Sequence, residues 1–202
     1  MAEEQVFVSH APADLELVQE LLTTVRNLPI GVHVALEELD SGRSRRHMEG
    51  RLSNSDVVVA VLTANGASDQ WVNQETGYAT AKGIPVVPMC AESVSSPGYL
   101  EEQEGARLRP DDREATVFDL LGRLRSVLAP LGTLSTPNWF VRFPCNVEGC
   151  GATVTLDIEE SQKSLGRMYE HNQALVATCD ECGSRYVFNP ATLGYVRRVD
   201  QT

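Results

Sequence analysis

The chain has no apolar run long enough to cross a bilayer, a task that takes about 20 predominantly apolar residues in a helix. Its first residues, Met-Ala-Glu-Glu-Gln, also lack the basic start and apolar stretch of a secretory signal. A cytoplasmic protein with no membrane partner is therefore expected. Positive charge is scarce as well: 17 Lys and Arg stand against 28 Asp and Glu, a formal charge of -11. Broad electrostatic binding of nucleic acid needs a positive surface to displace phosphate counterions, so only a local basic patch is left open. Cysteine is sparse, with five in the chain. In a reducing compartment these are not expected to form disulfides, and closely spaced pairs read first as metal ligands or redox thiols. There is no long repeat and no low-complexity tract.

What is present is a regular alternation of strand and helix patterns, which predicts an α/β fold with a parallel sheet covered on both faces. With 202 residues and 42% hydrophobic content, the chain can build one domain, or a domain with a small appendage. Residues 5–9 and 31–36 read as the first two strands, with a helix over 14–26 between them that spaces Leu15, Val18, Leu21, Leu22 and Val25 along one face. A polar loop over 37–46 and a short helix over 44–52 follow. The run 56–62 is the most apolar in the chain and reads as a central strand buried on both faces. Residues 84–89 read as a fourth strand, whose prolines predict a place near an edge or few central pairings. Residues 92–105 show little periodicity, 106–108 a short fifth strand, and 114–128 an amphipathic helix. A linker over 129–137 marks a boundary between residues 1–132 and 137–202.

Within the fourth pattern, Trp71 and Glu75 stand one helical turn apart, so they share a face, with Tyr78 just beyond. Such a pair can stack a planar ring and set a carboxylate beside a bond that develops positive charge as it breaks. The competing reading is a Trp in the core and a solvated Glu.

These residues, in order, resemble the Toll/interleukin-1 receptor (TIR) domains, and more closely their prokaryotic members. The resemblance runs from about Val6 to Leu128. It is carried by Val6-Phe7-Val8-Ser9-His10 with Asp14 opening the first helix, by Glu38-Leu39-Asp40-Ser41-Gly42, by the run from Asp56 to Thr63, by Trp71, Glu75 and Ala79, and by Gly83-Ile84-Pro85-Val86-Val87-Pro88. It implies a flavodoxin-like parallel sheet of about five strands. It also implies NAD as substrate, cleaved at the nicotinamide-ribose bond to give ADP-ribose or a cyclic ADP-ribose signal, as in antiphage defence. By the same resemblance Glu75 is the catalytic residue, Trp71 stacks on a planar base, and Ser9, His10, Asp40 and Arg43 surround the substrate, with Arg45 or Arg46 as further partners for the diphosphate. Implied partners are other TIR domains, through self-assembly, and an effector protein that responds to a nucleotide product. The alternative is a non-catalytic adaptor that assembles with other TIR domains. Ala11-Pro12 departs from the hydroxyl residues that often follow the Ser-His pair. Ser9 is not expected to be a nucleophile, because no base and orienting group accompany it. His33, His47 and His171 read as structural.

Cys145 and Cys150, then Cys179 and Cys182, form two knuckles about thirty residues apart, each followed by a glycine. Two loops with two thiolates each meet the tetrahedral requirement of structural zinc, and the pattern resembles a zinc ribbon. Strands are expected at 152–156 and 184–188, with a helix over 158–172. A redox dithiol at Cys179 and Cys182 leaves the first pair unexplained. Cys90 reads as a small buried apolar residue. Trp139, Phe140, Tyr186 and Tyr195 are expected to fill a small core, with a binding face as the alternative, and nucleic acid stays open as a ligand of this ribbon.

Overall fold

The structure is a computed structural model and describes residues 4–25, 30–34, 45–96, 98–128 and 139–199. Five parallel strands form one sheet: β1 (Glu4–Ser9), β2 (Ile30–Val34), β3 (Val57–Leu62), β4 (Val86–Ala91) and β5 (Ala106–Leu108). Their order is β2-β1-β3-β4-β5. The chain therefore leaves β1 toward one edge and returns at β3 toward the other, so the carboxyl ends of β1 and β3 lie at the switch point where ligands gather in open α/β sheets.

Alternation along the strands decides which side chain meets which helix. Val6, Val8, Val57, Val59 and Val61 join one buried cluster with α1 (Leu15–Val25) and α5 (Arg113–Leu128). Phe7, Val58, Ala60 and Leu62 join the other, with Leu52 of α2 (Arg45–Ser53) and Val72 and Ala79 of α4 (Gln70–Ala81). A short helix, α3 (Ala64–Ser68), precedes α4. Residues 92–105 are less irregular than their composition implies: a 3-10 turn over Gly98–Glu102 buries Leu100 in the second cluster.

β4 lies inside the sheet, despite its prolines. The Pro85 carbonyl accepts from the Val58 amide at 2.9 Å, so residues 85 and 87 face β3 and Pro88 faces the other side. There β5 reaches only Met89 to Ala91, and the missing Pro88 donor breaks no ladder bond.

Beyond the sheet, β6 (Trp139–Pro144) pairs antiparallel with β7 (Thr153–Ile158), and β8 (Leu175–Thr178), β9 (Arg185–Phe188) and β10 (Tyr195–Val199) form a second antiparallel sheet. α6 (Gln162–Glu170) lies between β7 and β8. It starts later than the sequence predicts, because Val154, Leu156 and Ile158 alternate as the buried side of β7, and because Ser161 caps the helix by accepting from the Ser164 amide at 3.2 Å. The aromatics divide. Trp139 and Tyr186 are buried, whereas Tyr195 is exposed.

Candidate active site

α4 is positioned from its first residue. Thr63 caps α3, and Asp69 ends α3 and caps α4, its carboxylate accepting from the amides of Trp71 and Val72 at 2.8 and 3.1 Å. Val72, Thr76 and Ala79 then face the sheet as a buried stripe. Trp71 and Glu75 flank that stripe toward the carboxyl end of β1. The Trp is 41% exposed and the Glu half-buried, the reverse of a core Trp beside a solvated Glu.

Ser9, the last residue of β1, donates its hydroxyl to Glu75 Oε2 at 2.5 Å. No other hydrogen bond to the Glu75 carboxylate is made by the described residues. Burial pushes the Glu75 carboxyl up to about 7 from 4.5; the Ser9 hydroxyl pulls it down and the negative charge of Asp69 pushes it further up. Ser9 is fully buried and His10 is 4% exposed. His10 Nδ1 lies 2.8 Å from the Ala11 carbonyl; an oxygen that can only accept requires the proton on Nδ1. This is the contact of a turn residue with its own backbone.

The loops after β1 and β3 are tied together by a contact that no sequence pattern announced. Asp14, buried at the end of a 3-10 turn over Pro12–Asp14, accepts from Thr63 Oγ1 at 2.7 Å. Gly66 sits so close beneath them that a Cβ there would lie 2.0 Å from the Val61 carbonyl oxygen. Beside the start of α4 is a cleft of about 570 Å³, walled by Ala11, Pro12 and Ala13 on one side and by Asn65, Ser68, Asp69 and Gln70 on the other. Asp69 is the charged group among those residues, which suits a neutral polar ligand group better than a phosphate. Asp40 and Arg43 lie outside the described residues, as do the side chains of Arg45 and Arg46.

Residues 6–121, more than half of the chain, match the TIR domain family. The chain belongs to the TIR family. No curated protein matches it as a relative. Its TIR domain thus has the parallel sheet and covering helices read from the sequence, with Glu75 and Trp71 on the helix after β3. Among the described residues no helix is long and apolar enough to cross a membrane.

Outside the TIR match, the sulfur atoms of Cys145, Cys150, Cys179 and Cys182 lie within 4.8 Å of one another. Their hydrogen-bond-range approaches run between knuckles, 3.6 Å from Cys145 to Cys182 and 3.7 Å from Cys150 to Cys179. Gly151 and Gly183, one after each pair, take φ of 64° and 70°, a left-handed turn that suits glycine. Tyr186, which the sequence offered only as an aromatic, brings its hydroxyl to 3.0 Å from Cys145 Sγ. Ser184 pulls the Cys182 thiol down to about 6 by hydrogen bonding to it. The donor set can hold a metal ion. Cys90 stands apart, 3.1 Å from Ser96 Oγ.

Proposed function

We propose that this TIR protein is an NAD-cleaving enzyme that breaks the nicotinamide-ribose bond, with Glu75 as its catalytic residue. The supporting observation is a half-buried carboxylate, held on one oxygen by Ser9, one turn from an exposed Trp71 at the sheet's switch point. When the C1′–N bond breaks, its electron pair leaves with nicotinamide, which departs neutral, and positive charge grows on the ribose as in glycoside hydrolysis. A carboxylate at hydrogen-bond distance from the ribose hydroxyls stabilises that charge and orients the sugar. Water then supplies hydroxide to C1′ and gives ADP-ribose and a proton, or the substrate's own adenine or a ribose hydroxyl closes a cyclic product. Trp71 stacks on a planar base, and the segment with Asp40 and Arg43 supplies the diphosphate contacts. Assembly of TIR domains completes the site, and the nucleotide product signals to an effector in cytoplasmic antiphage defence.

Zinc is the metal assigned to Cys145, Cys150, Cys179 and Cys182. Thiolates 2.3 Å from a tetrahedral zinc lie about 3.8 Å apart, close to the inter-knuckle sulfur distances here. With four cysteine ligands no position is left for water, so the ion is structural, and residues 137–202 are a zinc ribbon appended to a TIR domain of residues 1–132.

One observation favours the second reading, a non-catalytic adaptor with the ribbon as sensor or docking module: no basic side chain lines the cleft beside α4 among the described residues. The two readings separate when protein at increasing concentration is incubated with NAD beside Glu75→Gln. Glu75-dependent loss of NAD supports the enzyme, and TIR-TIR association without turnover supports the adaptor.

A further inference from the structure

We infer that Ser9 is a positioning residue for the proposed reaction, fixing one oxygen of Glu75 against the end of β1 so that the other is presented to the ribose. The inference rests on the NAD-cleaving reading of the site. Resemblance places Ser9 around the substrate, but its side chain is fully buried, so a ligand has no surface of Ser9 to touch. Burial equally bars it from attacking a ribose carbon, although it lies 2.5 Å from a carboxylate that could take its proton. What remains to the hydroxyl is to act through Glu75.

The geometry suits that task. The Ser9 backbone is locked in the middle of the sheet, with β1 between β2 and β3 and Ser9 in register with Ala60. Glu75, by contrast, stands at the flank of a helix on a side chain with three rotatable bonds, and the bond to Ser9 is the one hydrogen bond the described residues give it. A catalytic group displaced by about 1 Å can lose on the order of a hundredfold in rate, so an anchor on an immobile strand has a direct effect on turnover. Because Oε2 accepts from Ser9, Oε1 is the oxygen without a described partner.

The same bond bears on charge. Burial and Asp69 disfavour the ionised carboxylate, and the Ser9 hydroxyl opposes both. Other titratable groups described on the surrounding elements are His10 at the end of β1, Glu49 and Arg51 on α2, Tyr78 on α4 with Lys82 at its C-cap, and Cys90 on β4, but among the described residues Asp69 is the one whose field reaches Glu75. Removing the Ser9 hydroxyl therefore leaves the two opposing effects uncompensated, and Glu75 becomes both freer to rotate and harder to ionise.

The test combines two readouts on the full chain: the carboxyl carbon of Glu75, followed by NMR through a pH titration in glutamate-labelled protein and assigned by its loss in Glu75→Gln, and steady-state NAD turnover. In Ser9→Ala the midpoint is expected to rise by about one pH unit, roughly tenfold in proton affinity for a lost charge-assisted hydrogen bond. Its kcat is expected to fall at least about tenfold with little change in KM, and the pH-rate profile to shift to higher pH. Ser9→Thr, which keeps the hydroxyl, is expected to restore both. Turnover with an unmoved midpoint and unchanged kcat in Ser9→Ala overturns the inference and leaves the NAD reading standing. A moved midpoint with no turnover by the parent protein rejects the NAD reading, and with it the role of Ser9 in that reaction.

Discussion

Arg125 lies buried against the ring of Trp139, its guanidinium carbon 5.5 Å from the ring centroid and both residues only 2% exposed. Arg125 belongs to α5, the helix within which the TIR match ends, and Trp139 opens the cysteine-bearing region. The guanidinium also donates to the Glu160 carbonyl at 2.6 Å and to Gln162 Oε1 at 3.3 Å. Around this contact Leu120, Leu121 and Leu124 share one apolar cluster with Ile158 and Leu165, while Tyr169 donates to Glu114 across the junction at 2.6 Å. The two regions meet through a buried interior that apolar packing and side-chain hydrogen bonds share.

Arg125→Ala removes the cation-π contact and both donors, leaving a cavity beside Trp139. Losing a buried, hydrogen-bonded cation of this kind costs about 2–4 kcal/mol. Urea unfolding followed by tryptophan fluorescence is expected to show a lower midpoint at an unchanged slope.

The shared interior also changes what loss of the proposed zinc should do. A cysteine region that folded independently beyond the linker would unfold in Cys179→Ser and spare the TIR core. With α5 packed against β6, β7 and α6, unfolding of the cysteine region strips the outer face of α5 as well. Chelation, or Cys179→Ser, is therefore expected to lower the melting temperature of the whole chain, and native mass spectrometry of the untreated protein is expected to show one zinc per chain. A TIR core that melts unchanged in Cys179→Ser would show the junction to be energetically idle.

Much of this was legible in the order of residues, and the exceptions have physical reasons. The unbroken apolar run of β3 announced a central strand because a strand buried on both faces needs no polar alternation. Glu75 and Trp71 were legible as a pair because helical spacing fixes which residues share a face. The cysteine cluster was legible because two closely spaced pairs are the usual way a chain brings four thiols together, and the four sulfurs do lie within 4.8 Å of one another. Arg125 was not, because nothing local distinguishes a buried arginine from a solvated one at the polar edge of an amphipathic helix. The contacts of Ser9 with Glu75 and of Asp14 with Thr63 span 66 and 49 residues, so only the folded sheet brings them together. β6, β8 and β10 went unread: Trp139, Phe140 and Val141 of β6 and Leu175, Val176 and Ala177 of β8 are apolar, but so few residues do not separate strand from other buried segments until their antiparallel partners are in place.

Glu75 carries a stability signature with a definite sign. Its carboxyl is raised from 4.5 to about 7 in the folded state, so the fold binds that proton more tightly than the unfolded chain does. The associated stability is fully present below about pH 4.5 and is lost as pH rises through 7, by at most about 3 kcal/mol. Glu75→Gln has no charge to desolvate. It is expected to be more stable than the parent at pH 8 by up to that amount and about equal at pH 4, as read by thermal melts across that range.

Gly66→Ala tests the close approach beneath the first loop. The added carbon would fall 2.0 Å from the Val61 carbonyl oxygen, which belongs to the backbone of the central strand and cannot yield. α3 must move, carrying Thr63 away from Asp14, and a loss of at least about 1–3 kcal/mol follows, as for overpacking elsewhere. Proteolysis is expected to become faster at the loops around residues 11–14 and 63–69.

The most direct test of the central claim is to incubate the purified protein at high concentration with NAD and resolve the products by mass spectrometry, beside Glu75→Gln. Nicotinamide released by the parent and not by Glu75→Gln is the expected result, and the mass of its co-product distinguishes hydrolysis from cyclisation. Nicotinamide release undiminished in Glu75→Gln, or none from the parent at any concentration at which TIR domains associate, would contradict it.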